Sequence, residues 1–376
     1  MILRVLFLGL YCVFLNSSVV KSQCPCETKQ LCEPVKNTTR KEVFMFSLHD
    51  IKQTWSRFDW TKVTTVIMVG YVSPQLMCFA HKHDARVVTI GSLPVNNLTN
   101  VDDRKRWISS QLKLVRDNFL DGINIDFESA IPHNKPDLKQ AFTDLVNETN
   151  QAFKNVLPNY QVTVDVAWSP LDHDRCIDNR CYDYPVLSTV SDFLFVMSYD
   201  EQSQILGDCV AAANSGFYKT LTGLQGYLKY ARIPPNKLVL GVPWYGYKYQ
   251  CLNFDTKTKK CEIAKVPFRG VNCSDAAGKQ FDFRVIIPMM EASTSKRIWD
   301  KNTLTPYFYQ KNTTSGEYYE VWYDDPESLS LKYQLADKIG LRGVGVWNVD
   351  CLDYGDTPSA IKWRTKMWNM VPKYPR

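Results

Sequence analysis

The chain has 376 residues, of which 45% are hydrophobic and 22% charged, with a formal net charge of +6. That much apolar material fills a large core and excludes wholesale disorder. Mixed charges without a long basic run exclude a nucleic-acid binder on charge grounds, and the length allows two or three small domains or one large one.

Residues 1–22 read MILRVLFLGLYCVFLNSSVVKS. Arg4 precedes an apolar run over 5–15, and Val20 and Ser22 fit the small positions ahead of a cleavage point before Gln23. The run is shorter than the ~20 residues a membrane span needs. A cleaved signal peptide is therefore expected rather than an anchor, and no later stretch is long enough to span. A secretory route, ending in the lysosome or outside the cell, makes Asn37, Asn97, Asn147, Asn272 and Asn312 expected surface glycan sites, since each opens an N-x-S/T sequon. Of the 12 cysteines, all but Cys12 lie beyond the leader. The remaining number is odd, so at least one is a free thiol or bonds another chain. The short spacings 176/181 and 251/261 predict local disulfides. Cys24, Cys26 and Cys32 lack a matching ligand pair for zinc and read as structural disulfide partners.

Eight short apolar, mostly β-branched runs follow at 43–48, 63–72, 85–93, 122–128, 161–170, 193–200, 237–246 and 343–350. Near-continuous apolarity predicts parallel strands buried on both faces. Helical patterns lie between them. Ile108, Leu112, Val115 and Phe119 follow an acidic start at Asp102 and Asp103. Leu138, Phe142, Leu145, Val146, Phe153 and Val156 follow Pro136. Leu221, Leu224, Leu228 and Ala231 run up to Pro234 and Pro235. Asp325, Pro326 and Glu327 read as N-cap, N1 and N2 of a fourth helix that Gly340 ends. Strands alternating with helices predict an α/β fold, a (β/α)8 TIM barrel. A doubly wound sheet is disfavoured because no strand is followed by a Gly-rich phosphate turn. The 247–325 gap is too long for a βα loop, and its aromatic segment 307–323 predicts two strands around a turn. The expected organisation is one catalytic barrel domain over 23–376 carrying a small β-rich insertion at 247–325.

The fourth run is anomalous. In Asp121-Gly122-Ile123-Asn124-Ile125-Asp126-Phe127-Glu128 the polar Asn124, Asp126 and Glu128 alternate with apolar residues. Residues two apart on a strand share a face, so these three point together into the barrel. Unpaired carboxylates there cost several kcal/mol, which marks a functional cluster. Glu128 comes last, at the carboxyl end where barrel active sites open. Neighbouring carboxyls cannot both ionise easily, so a shared proton becomes available for general acid catalysis.

The same eight residues resemble the D-G-x-D-x-D-x-E motif of family 18 glycoside hydrolases, the chitinase-like family. Asn124 stands where that motif has its first interior Asp. Met197-Ser198-Tyr199-Asp200 is similar to the family's M-x-Y-D, residues 237–246 resemble its seventh-strand segment, and Trp347 matches its sugar-flooring tryptophan. Thr89-Ile90-Gly91-Ser92 is only partly similar to the third-strand S-x-G-G. The resemblance implies a retaining glycosidase acting on β1–4 linkages between N-acetylglucosamine residues, with no metal or cofactor. The substrate's own acetamido oxygen would be the nucleophile, giving an oxazolinium ion, a stated exception to the two-carboxylate scheme. It implies Glu128 as proton donor and base, with Asp126, Tyr199 and Asp200 as further catalytic residues. Asn124, Met197 and Trp347 are implied on the substrate-binding side. The short insertion, Asn124 and the N-terminal cysteines narrow the resemblance to members that split the chitobiose core of N-linked glycans from its reducing end. A chitinase on chitin oligomers and a non-catalytic glycan-binding lectin are the alternatives. The expected partners are N-acetylglucosamine oligosaccharides, with a monomeric protein, no nucleic acid and no membrane anchor. Without a charge at Asn124, Asp126 would lack a carboxylate neighbour to share a proton, shifting the pH optimum.

Overall fold

The computed structural model of the chain describes residues 23–36, 40–172 and 175–375. The expected leader and the Asn37 sequon lie outside the described residues. All eight apolar runs become strands of one closed parallel barrel: Glu42–Ser47, Thr65–Met68, Arg86–Gly91, Gly122–Ile125, Gln161–Val166, Phe193–Met197, Leu238–Pro243 and Gly343–Trp347. Each pairs with its chain neighbour, and the first closes against the eighth through Glu42 beside Gly343 and Phe44 beside Gly345. The eight are counted below as barrel strands one to eight.

The helix signals locate the surrounding layer. Asn100 caps Val101–Asp117 by accepting from the backbone N–H groups of Asp102 and Asp103. Pro136 opens Pro136–Val156. Pro326–Ile339 has the expected Asp325 cap, closed into a capping box by Ser328, and ends on Gly340 at φ 79°. The third stripe begins earlier than its leucines suggest, as Phe217–Gln225, and widens into a π-turn over Gly226–Tyr230. Among the described residues no helix is long and apolar enough to cross a membrane.

Phenyl rings fill the barrel interior. Phe46 and Phe195 meet edge to face at 5.0 Å, and Phe46 supports Trp347 at 5.2 Å. Gly241 makes room for them, since a Cβ there would lie 2.4 Å from the Phe195 ring. At the amino-terminal end a buried plug closes the barrel. Glu42 accepts from Thr64 at 2.6 Å and Thr65 at 3.1 Å and lies 3.5 Å from Arg86.

The first residue of the acidic motif is structural. Asp121 accepts from the N–H groups of Val35 at 2.8 Å and Val87 at 2.7 Å, and pairs with His81 Nε2 at 2.8 Å. The polar run His81-Lys82-His83 ends the helix Pro74–Lys82, with His81 buried between Asp121 and the Leu31 carbonyl and His83 stacked on Trp60. The reason is that Asp121 needs a donor in the layer behind the strand, which a sequence period cannot reveal. Gly122 has φ +151°, and a Cβ would sit 1.9 Å from the Gln161 carbonyl oxygen of the fifth strand. Gly122→Ala should therefore abolish soluble folded protein or lower the melting temperature by well over 10 °C, through both strain and overpacking, as read by yield and calorimetry.

The excursion between strands seven and eight forms a five-stranded antiparallel sheet. Its order is Gly278–Asp282, Tyr245–Cys251, Tyr318–Trp322, Thr305–Lys311, Ile298–Asp300. The two aromatic strands are present as expected. The sheet starts at Tyr245 and is accompanied by the helix Phe283–Ala292, which an aromatic pattern did not announce.

Disulfides join Cys176 to Cys181 and Cys251 to Cys261, as the spacings predict. Cys24–Cys32, Cys26–Cys78 and Cys209–Cys273 complete the set, and Cys351 is the buried free thiol among the described residues. The zinc alternative for Cys24, Cys26 and Cys32 falls, because their sulfurs are consumed in two bonds, one closing the amino-terminal segment on itself and the other, Cys26–Cys78, tying it to the helix Pro74–Lys82.

Candidate active site

A cavity of about 350 Å³ opens at the carboxyl ends of the barrel strands. The fourth strand and the turn after it deliver Asp126 and Glu128, the sixth Met197, Tyr199 and Asp200, and the eighth Trp347. Six of the seven residues singled out in the sequence thus line one cavity. Asn124 does not line it. It lies a layer deeper, fully buried, donating from Nδ2 to Thr163 Oγ1 at 3.0 Å and Asp165 Oδ1 at 2.8 Å.

Period two explains the fourth strand. Phe127 turns outward onto Phe142 at 4.5 Å, leaving Asp126 half-buried under the cavity and Glu128 exposed at its mouth. Burial pushes the Asp126 carboxyl up to about 7, with the Glu128 charge adding to the rise and Arg180 opposing it. The expectation that one carboxyl of the pair rises is met by Asp126, and burial is the larger cause.

Glu128 Oε2 lies 2.5 Å from Arg180 Nη2, which also reaches Asp178 at 3.4 Å. Arg180 belongs to the short loop that Cys176–Cys181 closes. Arg269 holds the same corner from the other side, donating to the Glu128 carbonyl at 2.9 Å and the Asp178 carbonyl at 2.7 Å.

Asp200 has φ 51° and is held by its own N–H donating to Asn214 Oδ1 at 2.8 Å. Its Oδ1 accepts from Tyr245 at 2.6 Å and Tyr247 at 3.0 Å, and Gln280 donates to the Tyr247 hydroxyl at 2.8 Å. The insertion sheet thereby completes one wall of the cavity. Burial raises the Asp200 carboxyl despite those two hydroxyls, and it pushes Asp275, on the same wall, up to about 8 with Asp200 and Asp178 adding.

The sequence reading missed Asp165, Asp178, Arg180, Tyr247 and Asp275. For Asp165 a signal existed. It alternates with Gln161 and Thr163 between valines, the same mark that singled out Asp126. Arg180 and Asp275 arrive on loops, which carry no period. Asp165 also corrects the expectation that Asp126 lacks a carboxylate neighbour. The neighbour comes from the adjacent strand, and burial with the Asp126 charge raises Asp165 well above its ordinary range.

An aromatic-floored, carboxyl-rich cavity at this end of a closed parallel barrel defines a glycoside-hydrolase barrel. The pattern of the glycosyl hydrolases family 18 matches residues 94–351. The di-N-acetylchitobiase of Mus musculus is 45% identical over 348 residues, covering 93% of this chain and 92% of its own. That of Homo sapiens is 43% identical over 350 residues, covering 93% and 88%. In fold the chain is similar to the class V chitinase of Nicotiana tobaccum, with a TM-score of 0.66 at 17% identity over 88% of this chain and 99% of that one. The chain belongs to glycoside hydrolase family 18.

Proposed function

We propose that this enzyme is a di-N-acetylchitobiase, splitting the β1–4 bond between two N-acetylglucosamine residues from the reducing end of the chitobiose core. The observation that carries this reading is the convergence of Asp126, Glu128, Tyr199 and Asp200 over Trp347 in one cavity. The sugar at the scissile bond packs its apolar face on Trp347 with Met197 beside it. Glu128 gives its proton to the glycosidic oxygen while the substrate's acetamido oxygen attacks C1. The C1–O bond breaks and an oxazolinium ion forms. Asp126 accepts the acetamido N–H and offsets the positive charge growing on nitrogen, Tyr199 donates its hydroxyl to the acetamido oxygen, and Asp200 binds the sugar's polar edge. Water then attacks C1 as Glu128 takes its proton, regenerating the acid with net retention.

The secretory features support a lysosomal destination in glycoprotein breakdown. Asn272 is exposed, while Asn97, Asn147 and Asn312 are half-buried on the surface, consistent with proposed glycan sites. Reducing-end-labelled chitobiose and chitotriose test the function. Release of a single labelled N-acetylglucosamine from each is expected. Internal cuts in longer oligomers would indicate a chitinase, and tight binding without product a lectin. Cellobiose has the same bond without the acetamido group, and its turnover should fall below detection. Measurable cellobiose hydrolysis would reject substrate assistance.

A further inference from the structure

The family motif places an aspartate where this chain has Asn124, yet the layer beneath the cavity still holds two carboxyls. Fourth and fifth strands pair in parallel with Asn124 beside Thr163 and Ile125 beside Val164. One step further puts Asp165 beside Asp126, both facing inward. Asp165 is 2% exposed, and one of its oxygens accepts from Asn124 at 2.8 Å. An aspartate at 124 could not make that donation without a proton of its own. Asn124 and Asp165 are thus a matched pair, with the amide on the fourth strand and the charge moved to the fifth.

We infer that Asp165 is a positioning residue for the proposed reaction, the buried partner that exchanges one proton with Asp126. The inference rests on the substrate-assisted reading above. The Oδ1 atoms of Asp126 and Asn124 are buried acceptors without a hydrogen-bond donor among the described residues. A proton held within the cluster supplies one. When Asp126 takes the acetamido N–H, its proton passes to Asp165. Asp126 then carries the negative charge beside the oxazolinium nitrogen, and no proton is gained or lost overall. The charged and titratable groups facing Asp165 are Asp126 and Glu128 from the fourth strand's end, Tyr199 from the sixth, and Arg180 from the disulfide loop. Asp126 and Glu128 disfavour a second charge on Asp165, Arg180 and the Asn124 amide favour it, and Tyr199, itself held neutral, adds no charge. Burial acts with those two carboxyls, so the pair holds its proton up to about neutrality.

The test compares the parent enzyme with Asp165→Asn, Asn124→Asp and the double variant, using labelled chitobiose from pH 4 to 8. Asp165→Asn should lower kcat ~10–100-fold with KM within about threefold and move the high-pH limb, since Asp126 loses its proton partner. The double variant returns a carboxyl to the layer from the other strand and should recover at least ~10-fold of the loss. Asn124→Asp alone adds a carboxyl and should move the high-pH limb upward by about one pH unit. A kcat and profile for Asp165→Asn within twofold of the parent, or a double variant no better than the single, overturns the inference. If Asp165→Asn does not fold, an unmoved profile in Asn124→Asp overturns it. Infrared difference spectra read the proton without turnover. The parent should lose a protonated-carboxyl band near pH 7 that is shifted or absent in Asp165→Asn, and an identical band in both sinks the shared proton. A parent that shows this band but releases no sugar instead refutes the functional reading.

Discussion

Glu128→Gln should lower kcat on chitobiose by about 10²–10⁴-fold while leaving substrate binding within a few-fold, measured by steady-state kinetics and binding titration. Glutamine keeps the shape of the side chain but has no proton to give the glycosidic oxygen. The side chain is 48% exposed, so the substitution opens no hole in the core. Its cost to the fold arises at Arg180, whose 2.5 Å partner loses its charge while Asp178 stays at 3.4 Å. A calorimetric scan should therefore show a small drop in melting temperature beside the large drop in rate. The assignment has a sharper consequence. An aryl leaving group such as nitrophenolate departs without help, so the deficit on a nitrophenyl glycoside of N-acetylglucosamine should shrink at the first step. An equal deficit on both substrates would mean that Glu128 acts on binding or water attack alone, and turnover within tenfold of the parent would reject it as the acid.

The alternation that marked Glu128 also marked the barrel. Inward-facing strands of a TIM barrel are so uniformly apolar that polar interruptions stand out. Asn124, Asp126 and Glu128 were legible for that reason, and so was the eight-strand count. Asp165 carried the same mark, but a lone carboxyl in one strand gains meaning only when the register sets it beside Asp126. Asn124 is a related case. Its position in the motif pointed to the substrate, whereas its amide is spent on Thr163 and Asp165 beneath the cavity. Arg180, Arg269 and Asp275 reach the site from segments distant in sequence, and Tyr247 reaches it from the insertion. Loop residues answer to closure and to disulfides, not to a period, so nothing along the chain announced them. His81 is hidden in the sequence for a different reason. Three charged or polar residues in a row suggest solvent, and only the fold reveals the buried Asp121 that His81 satisfies.

Thermal stability should rise as pH falls from 8 to 5, with the melting temperature increasing by several degrees or more. Carboxyls raised by burial drive this, four of them by a large step. Burial holds Asp126 and Glu201 up to about 7, and Asp275 and Glu320 up to about 8. In the unfolded chain each returns to an ordinary value near 4. Between these limits the folded state binds more protons than the unfolded state, so unfolding becomes easier as pH rises. The stabilisation is complete below the unfolded values and is lost as pH climbs through about 7–8. One group moving from about 4 to about 7 changes stability by up to ~4 kcal/mol, comparable to a large share of a domain's total. Two of the four lie away from the catalytic carboxyls. Glu201 is 1% exposed and bonded to Ser198, Thr220 and the Gly216 N–H, and Glu320 is 1% exposed with Trp322 Nε1 as its donor. The trend should therefore survive in Asp126→Asn, and Glu320→Gln should flatten it at the alkaline end, because an amide cannot ionise there. The carboxyls whose values fall, Asp208, Asp255 and Asp356, are fully exposed and oppose the trend only weakly. A melting temperature that is flat or rises toward pH 8 would show that these carboxyls ionise in the folded protein at ordinary pH. A maximum on the acidic side is what an enzyme working in the proposed lysosomal setting requires of its fold, independently of its catalytic pH profile.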